Sequence, residues 1–228
     1  MRRITLGQIL TFVFFFSIAV LLSISTTHLL LGAIPLGDFR GVSLLVAAIV
    51  FLYVYAIALY RLFLHFWPLC MGEIEPGSRC EFRYHLYLLS YLILFQPVTR
   101  SLLVPVPLMR LLYLALGARM GRNSYSGGVI LDPPLTRIGE NCIIGHDAVL
   151  FCHVVEGDRL AFASIDIGNK VTVGAKAVIM PGVQIGDGAI IAVGAVVLKG
   201  TRINSGELWA GVPARRVRGE LAFGNTAR

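Results

Sequence analysis

Charged residues are scarce in this chain of 228 residues: 14% are Asp, Glu, Lys or Arg, whereas 56% are hydrophobic. Globular proteins average about 25% charged residues, so a globular fold that is soluble throughout is excluded and part of the chain is expected to lie in lipid. Acidic side chains are the scarcer kind, with 13 against 20 Lys and Arg, for a net charge of +7. This surplus suits an anionic membrane surface or anionic small molecules.

Several motifs are also lacking. The four cysteines, Cys70, Cys80, Cys142 and Cys152, show no C-x-x-C spacing, so we expect neither a zinc or other metal site nor a disulfide framework, and we expect a reduced domain that faces the cytosol. There is no Walker or dinucleotide-binding glycine motif, so ATP and NAD are not implied. No nucleic-acid recognition motif is present, and we expect no nucleic acid as a partner.

Two long hydrophobic runs open the chain. Residues 4–34 are mostly Leu, Ile, Val and Phe, interrupted chiefly by Ser, Thr and one His, and residues 42–67 form a second run after a short turn at 35–41. About 20 apolar residues suffice to cross a bilayer as a helix. A signal peptide would have a shorter apolar core. Residues 1–67 are therefore predicted to form a transmembrane helical hairpin.

The arginines at the ends of this hairpin predict its orientation. Arg2 and Arg3 precede the first run and Arg61 lies near the end of the second, while the charges of Asp38 and Arg40 in and beside the turn cancel. By the positive-inside rule both ends of the hairpin are expected in the cytosol. The chain is thus predicted to be a multi-pass protein of the cytoplasmic (inner) membrane.

A third apolar stretch, residues 84–116, differs from the first two because prolines and arginines interrupt it. They are Pro97, Pro105 and Pro107, with Arg100 and Arg110. Proline breaks the helical hydrogen-bond ladder, so residues 68–120 are predicted to hold short amphipathic helices at the membrane interface and a linker. They would form a structural platform or a lipid-facing groove that brings a membrane-bound acceptor to the rest of the chain.

The C-terminal half has a repeat of six residues. Apart from one interval of 17 residues between Leu150 and Ile167, an aliphatic residue recurs at every sixth position, at Ile138, Ile144, Leu150, Ile167, Val173, Ile179, Ile185, Ile191, Val197 and Ile203. Six residues make one short strand and one tight turn, and three such units close a triangular coil with the aliphatic residues inside. Residues 121–219 are predicted to form this parallel β-helix, with glycines supplying the unusual backbone angles of the turns, and residues 220–228 a tail.

The hexads themselves carry a resemblance. I-G-E-N-C-I, I-G-H-D-A-V, I-G-N-K-V-T, V-G-A-K-A-V and I-G-D-G-A-I, with the ending Trp209 to Arg216, resemble the hexapeptide-repeat acyltransferases over about residues 117–219. The part from Gly145 to Gly200 is similar to the terminal domains of membrane-bound peptide-synthetase-like proteins and to polysaccharide acetyltransferases. The resemblance implies a left-handed β-helix, a homotrimer, and acyl-CoA bound between neighbouring prisms.

Two histidines of the repeat region are candidates for the general base, because imidazole titrates near neutral pH. His153 stands where the six-residue register breaks, before residues 154–166, which the resemblance identifies as a loop that shapes the acceptor site. His146 is part of a regular hexad and is followed by Asp147. Glu156 or Asp147 could orient the imidazole. His28, His65 and His85 lie in apolar segments and are expected to be structural.

The resemblance also implies where acyl-CoA would lie. The family holds the pantetheine arm through backbone groups at small residues, and the matching positions here are Gly174, Ala175, Ala192 and Gly194, which could equally be ordinary corner residues. The nucleotide phosphates would bind to cationic side chains, for which Lys199, Arg215, Arg216 and Arg218 are candidates. The alternative for these cations is a basic tail on an anionic membrane.

The function predicted from these features is a membrane-anchored CoA-dependent acyltransferase, in the first instance an acetyltransferase. It would acylate a hydroxyl or an amine of a membrane-associated or lipid-linked acceptor, with membrane lipids and acyl-CoA as its other partners. Two alternatives stay open at this point. The acceptor could be a soluble amino sugar or amine, or the prism could be a non-catalytic trimeric scaffold.

Overall fold

The computed structural model describes residues 3–35, 37–101 and 104–217 and divides into two compact units. The first unit comprises the chain up to Cys70 together with Ile74–Val98, and the second comprises Met71–Glu73 and the chain from Thr99 onward. The segment predicted at 68–120 is thus shared between the two units. The first unit is helical, and the second contains the sheets.

Two long helices, α1 (Leu6–Leu31) and α2 (Arg40–Phe66), form most of the first unit, joined through a short 3-10 helix at Gly37–Phe39. Helix α1 begins at a capping box in which Thr5 and Gln8 bond each other's backbone, the usual way to satisfy free N–H groups at a helix start. Both helices are long and apolar enough to cross a membrane. Many of their large apolar side chains are exposed, among them Leu6 and Leu29.

Polar residues of the helical unit bond to one another. The Ser23 hydroxyl donates to the Ala48 carbonyl at 2.6 Å, which joins α1 to α2. Helix α3 (Arg79–Ser90) begins at Ser78, whose side chain accepts from the Glu81 N–H. His85 of α3 is buried, and its Nδ1 lies 3.2 Å from Oε1 of Gln8. The structure is therefore consistent with a structural role for His85.

Cys70 and Cys80 form a disulfide, with their Cα atoms 5.8 Å apart. The prediction that the chain has no disulfide was therefore wrong. A turn at Pro76 and Gly77, where Gly77 has a φ of +72°, reverses the chain between the two cysteines, and cysteine spacing does not reveal such a return. Cys142 and Cys152 are free and buried.

Three further helical segments follow α3: a π-helix at Tyr91–Phe95, α4 (Gln96–Thr99) and α5 (Val106–Leu116). The short helices predicted here are present, but α5 belongs to the second unit. Its Tyr113 is fully buried, and the phenol donates to the Gly128 carbonyl at 3.0 Å and accepts from the Ile130 N–H at 3.2 Å. One face of α5 therefore packs on the first coil of the β-helix, a role that the sequence analysis did not predict.

The second unit is a three-sided parallel β-helix, which confirms the prediction from the six-residue repeat. Its first sheet contains β2 (Arg119–Met120), β5 (Thr136–Ile138), β10 (Ile165–Ile167), β13 (Gln184–Ile185) and β16 (Arg202–Ile203). Its second sheet contains β3 (Tyr125–Ser126), β6 (Ile143–Ile144), β11 (Thr172–Val173), β14 (Ile190–Ile191), β17 (Leu208–Ala210) and the antiparallel β18 (Arg215–Arg216). Its third sheet contains β4 (Val129–Ile130), β7 (Val149–Leu150), β12 (Val178–Ile179) and β15 (Val196–Val197).

The aliphatic residues of the repeat form the core. All ten predicted positions are buried, at 5% exposure or less, and within each sheet they align from coil to coil, as Ile167 does with Ile138 and Ile185. Burying an aliphatic side chain of this size contributes about 1.5–3 kcal/mol. One more coil precedes the predicted hexads, with Met120, Ser126 and Ile130 at the inward positions.

The turns use two positions for two purposes, and the unusual backbone angle predicted for glycine occurs at only one of them. Directly after the aliphatic residue, a Cβ on Gly174 would lie 2.5 Å from the backbone N of Val193 in the next coil. Glycine is needed there because the coils approach closely. The left-handed backbone angle occurs two residues later, at Lys176 with a φ of 58° and at Gly194 with 70°.

The interval of 17 residues in the repeat contains a β-hairpin. Strand β8 (His153–Glu156) pairs with β9 (Arg159–Phe162) in antiparallel register. The other side of β9 pairs with β1 (Gly72–Glu73), the short strand that follows Cys70 in the chain. The predicted loop is therefore an ordered three-stranded sheet, with His153 at the start of its outer strand.

Candidate active site

His153 and Asp132 form the best-defined polar pair in the prism. The Nδ1 atom of His153 lies 2.7 Å from Oδ2 of Asp132. The Asp132 side chain is 2% exposed and the His153 side chain 26%. The same Oδ2 accepts a hydrogen bond from the Cys152 N–H at 2.7 Å, so the carboxylate is held by the backbone of the residue next to the histidine.

The stacking of the coils brings the two residues together. Ile130 of β4 pairs with Leu150 of β7 in the next coil. Asp132 therefore stands two residues after β4 at the position equivalent to Cys152 after β7. Backbone bonds continue this alignment, since the Leu131 N–H donates to the Leu150 carbonyl at 2.9 Å. The sequence analysis missed Asp132; aligning residues 130–132 with 150–152 as one register would have found it.

The pair can work as a general base. Burial lowers the pKa of the His153 imidazole, but the hydrogen bond to Asp132 and its carboxylate charge raise that pKa by more, and the net pKa lies above the ordinary value. Because a carboxylate only accepts, Nδ1 carries the proton and Nε2 is the nitrogen that can take one. The rings of Phe151 and Phe162 flank the imidazole, with centroids at 5.7 Å and 6.3 Å.

Glu156, the other predicted member of the catalytic group, bonds elsewhere. The Lys199 ammonium donates to Oε1 of Glu156 at 2.6 Å, and about half of each side chain is exposed. This hydrogen bond lowers the pKa of the Glu156 carboxyl. The task of orienting His153, for which Glu156 and Asp147 were candidates, therefore belongs to Asp132 in the structure.

The candidate residues fall on two edges of the prism. The His153 edge joins the third sheet to the first and comprises residues 131–135, 151–164, 180–183 and 198–201; it carries Asp132 and Lys199. The Ala175 edge joins the second sheet to the third and comprises residues 127–128, 145–148, 174–177 and 192–195. Within one chain, therefore, His153 is not on the edge that carries the predicted contacts of the pantetheine arm.

The Ala175 edge brings together His146 and all four of the small residues predicted to contact acyl-CoA, Gly174, Ala175, Ala192 and Gly194. Its coils touch through backbone: a Cβ on Gly145 would lie 2.5 Å from the N of Ala175. His146 itself is exposed, with Nε2 at 3.5 Å from Oδ1 of Asp147 and side-chain exposures of 64% and 57%. This pair is longer and more open than that of His153 with Asp132.

Residues 164–199 match the family model described as bacterial transferase hexapeptide (six repeats). The match lies within the six-residue repeat of the second unit. No curated protein sequence matches the chain significantly.

The solved structures that are similar to this chain include the following three. The hexapeptide-repeat acetyltransferase VCA0836 of Vibrio cholerae is 21% identical over 64% of this chain and 94% of its own, with a TM-score of 0.49. Its acetyl-CoA complex, from Vibrio cholerae O1 biovar eltor, is 22% identical over 64% and 93%, with a TM-score of 0.48. A galactoside acetyltransferase in complex with coenzyme A is 23% identical over 64% and 85%, with a TM-score of 0.46. Because these TM-scores are below 0.5, the fold assignment rests on the strand pairing and the repeat.

Among the described residues, the predicted phosphate-binding cations do not form one cluster. Lys199 lies on the His153 edge and is paired with Glu156. Arg215 and Arg216 form β18, and Nη1 of Arg216 lies 3.3 Å from Oε1 of Glu207. Arg218 is outside the described residues.

The His153 edge does not offer a cysteine nucleophile or a metal centre among its described residues. Burial raises the pKa of the Cys152 thiol to about 12, so the thiolate that a cysteine nucleophile needs is not formed at neutral pH. Among the described parts of the chain, no three His, Cys, Asp or Glu side chains come together in a way that could hold a metal ion. The arrangement is that of a part-exposed imidazole bonded to a buried carboxylate.

Proposed function

We propose that this chain is a membrane-anchored acyltransferase that moves an acyl group, acetyl in the first instance, from acyl-CoA to a hydroxyl or amine of a membrane-associated or lipid-linked acceptor. The observation that carries the proposal is the His153 and Asp132 pair at the break in the hexapeptide register. The Asp132 carboxylate is buried, and besides His153 it is bonded to the Cys152 N–H. A buried carboxylate bonded to a part-exposed imidazole suits proton transfer.

The reaction follows from the tautomer of His153. Nε2 accepts the proton of the acceptor hydroxyl or amine while its oxygen or nitrogen attacks the thioester carbonyl carbon. The carbon–sulfur bond then breaks, and the CoA thiolate takes the proton back from Nε2, which leaves free CoA and the acylated acceptor. Asp132 holds Nδ1–H throughout and stabilises the imidazolium between the two transfers.

The position of acyl-CoA supports a homotrimer in this proposal. The acyl-CoA contacts are expected on the Ala175 edge, whereas the base is on the His153 edge. Both edges would contribute to one site if the His153 edge of one copy faced the Ala175 edge of the next. The third sheet between them has an apolar outer face, formed by Val129, Val149, Val178 and Val196, which suits packing between copies.

The anchor in this proposal is the α1–α2 hairpin, with the catalytic domain in the cytosol, where acyl-CoA is found. The long apolar helices and the terminal arginines support this orientation. The Cys70–Cys80 disulfide argues against it, because disulfides persist mainly in oxidising compartments. Reporter fusions at the C-terminus, fluorescent only in the cytosol or enzymatically active only outside it, would decide the orientation.

Release of CoA from acetyl-CoA by the purified full chain, with and without a membrane lipid extract, tests the activity. We expect release that depends on the extract, is abolished by His153→Ala and persists in His146→Ala, while both variants still bind acetyl-CoA. Failure of the wild type to bind acetyl-CoA would favour the scaffold alternative. Loss of release in His146→Ala alone would move the base to the Ala175 edge.

A further inference from the structure

A groove of about 450 Å³ lies at the N-terminal end of the Ala175 edge. One side of it is formed by the turns of the first two coils, including Gly127 and His146, and the other by residues 99–101 and 104–106 together with Met109 of α5. All of these residues belong to the second unit. The volume is in the range of small-molecule pockets, about 300–1,000 Å³.

The groove is lined by both apolar and polar side chains. Its apolar lining includes Val104, Val106, Met109, Val129 and Val149. Its polar lining includes Arg100, Ser101 and His146. A ligand that fits both surfaces must have an apolar portion next to a polar or charged one.

The groove carries one permanent cation, Arg100, that can bind an anionic group. Arg100 is exposed, and among the described residues it forms no hydrogen bond or ion pair. Asp147 is the only acidic residue of the lining, and its carboxylate lies against His146, at 3.5 Å. A guanidinium without a protein partner at the wall of a pocket is well suited to a phosphate, whose oxygens match its forked donors.

We propose that this groove is the acceptor subsite and takes an amphiphile in which a phosphate group adjoins an alkyl chain. The phosphate bonds Arg100, and the first carbons of the chain lie on Val106, Met109 and Val149. The groove is too small for a whole two-chain lipid, so the rest of the alkyl chain lies outside it. Such a ligand is one that a membrane anchor would place within reach.

The position of the groove agrees with this assignment. It lies on the same edge as Gly174, Ala175, Ala192 and Gly194, at its N-terminal end. An acceptor in the groove would therefore be next to acyl-CoA lying along the edge. That the bound amphiphile is the acceptor rests on the proposed function, but its binding can be measured without acyl transfer.

The test is calorimetric titration of the full chain in phosphatidylcholine nanodiscs with dioctanoyl phosphatidic acid, with empty nanodiscs subtracted. Dioctanoylglycerol, which lacks the phosphate, and inorganic phosphate, which lacks the chains, are the comparison ligands. The variants are Arg100→Gln, which removes the cation, and Val106→Trp, which fills part of the groove from an exposed position. Arg202→Gln is the matched control, because Arg202 is an exposed arginine on the outer face of the first sheet.

We expect Arg100→Gln to weaken binding of the phosphatidic acid by roughly tenfold, the usual effect of losing one charge-assisted contact. Val106→Trp should weaken it as well, Arg202→Gln should leave it unchanged, and both comparison ligands should bind more weakly. Equal affinities of Arg100→Gln and Arg202→Gln would overturn the inference, as would binding of inorganic phosphate as tightly as the amphiphile. Amphiphile binding without CoA release would instead retain the subsite and refute the proposed function.

Discussion

The Nδ1 atom of His153 lies 2.7 Å from the Oδ2 atom of Asp132, although 21 residues separate them in the chain. Each residue follows a strand of the third sheet, in consecutive coils. The carboxylate is also bonded to the Cys152 N–H. The imidazole therefore has one nitrogen held by the protein and one that remains for a substrate.

Asp132→Asn should lower kcat by at least about 100-fold, the scale of a well-oriented general base. The amide cannot hold the Nδ1–H tautomer as the carboxylate does. Because Asp132 raises the pKa of His153, the acid limb of the kcat/KM profile should also move to lower pH in the variant. A variant with a lower rate but an unmoved acid limb would show that Asp132 acts through the fold and not through the histidine. Asp187→Asn, at an exposed aspartate on another edge of the prism, is the control.

The same pair should make stability depend on pH. The pKa of His153 is raised in the folded state, so its stabilising contribution is fully present below the unfolded pKa, about 6.5, and is lost as the pH rises through the folded value. We expect the difference in Tm between the wild type and His153→Gln, both as full chains in detergent, to be larger at acid pH and to narrow above that range. A constant difference would contradict the raised pKa.

Glu156→Gln should leave turnover close to that of the wild type. Its carboxylate is exposed and bonded to Lys199, outside the pair that holds His153. The informative measurement is kcat for Glu156→Gln beside Asp132→Asn under the same conditions. A loss as large as that expected for Asp132→Asn would assign Glu156 a catalytic role.

Gly174→Ala should destabilise the prism more than Gly194→Ala. A Cβ at position 174 would meet backbone atoms of Val193 and Ala192 at 2.5 Å and 2.7 Å, and such overpacking costs about 1–3 kcal/mol or more. At Gly194 the φ is +70° and nothing lies within 4 Å of the added atom, so the cost is the left-handed penalty, about 1 kcal/mol. Thermal unfolding of both full-length variants shows which substitution lowers Tm more. Equal decreases in Tm would refute the close approach of the coils at Gly174.

The sequence by itself determined the β-helix, because one aliphatic residue in six is the signal of a coil that buries one residue per side. It also determined the two long apolar helices, because their length and composition can be recognised without knowing what they contact. His153 could be chosen from the sequence as well, since it stands at the break of the repeat. The small residues Gly174, Ala175, Ala192 and Gly194 were predicted from the family resemblance, and the structure places them on one edge.

Only the tertiary structure decided what His153 bonds. Glu156 is near His153 in the chain, but it lies at the far end of strand β8 and bonds to Lys199. Stacking of consecutive coils brings Asp132 within bonding distance of His153. The Cys70–Cys80 disulfide and the packing of α5 on the first coil depend in the same way on where the chain returns. A local repeat can be recognised from the sequence alone. Contacts between consecutive coils depend on how the chain winds, because winding brings together residues that are far apart in the sequence.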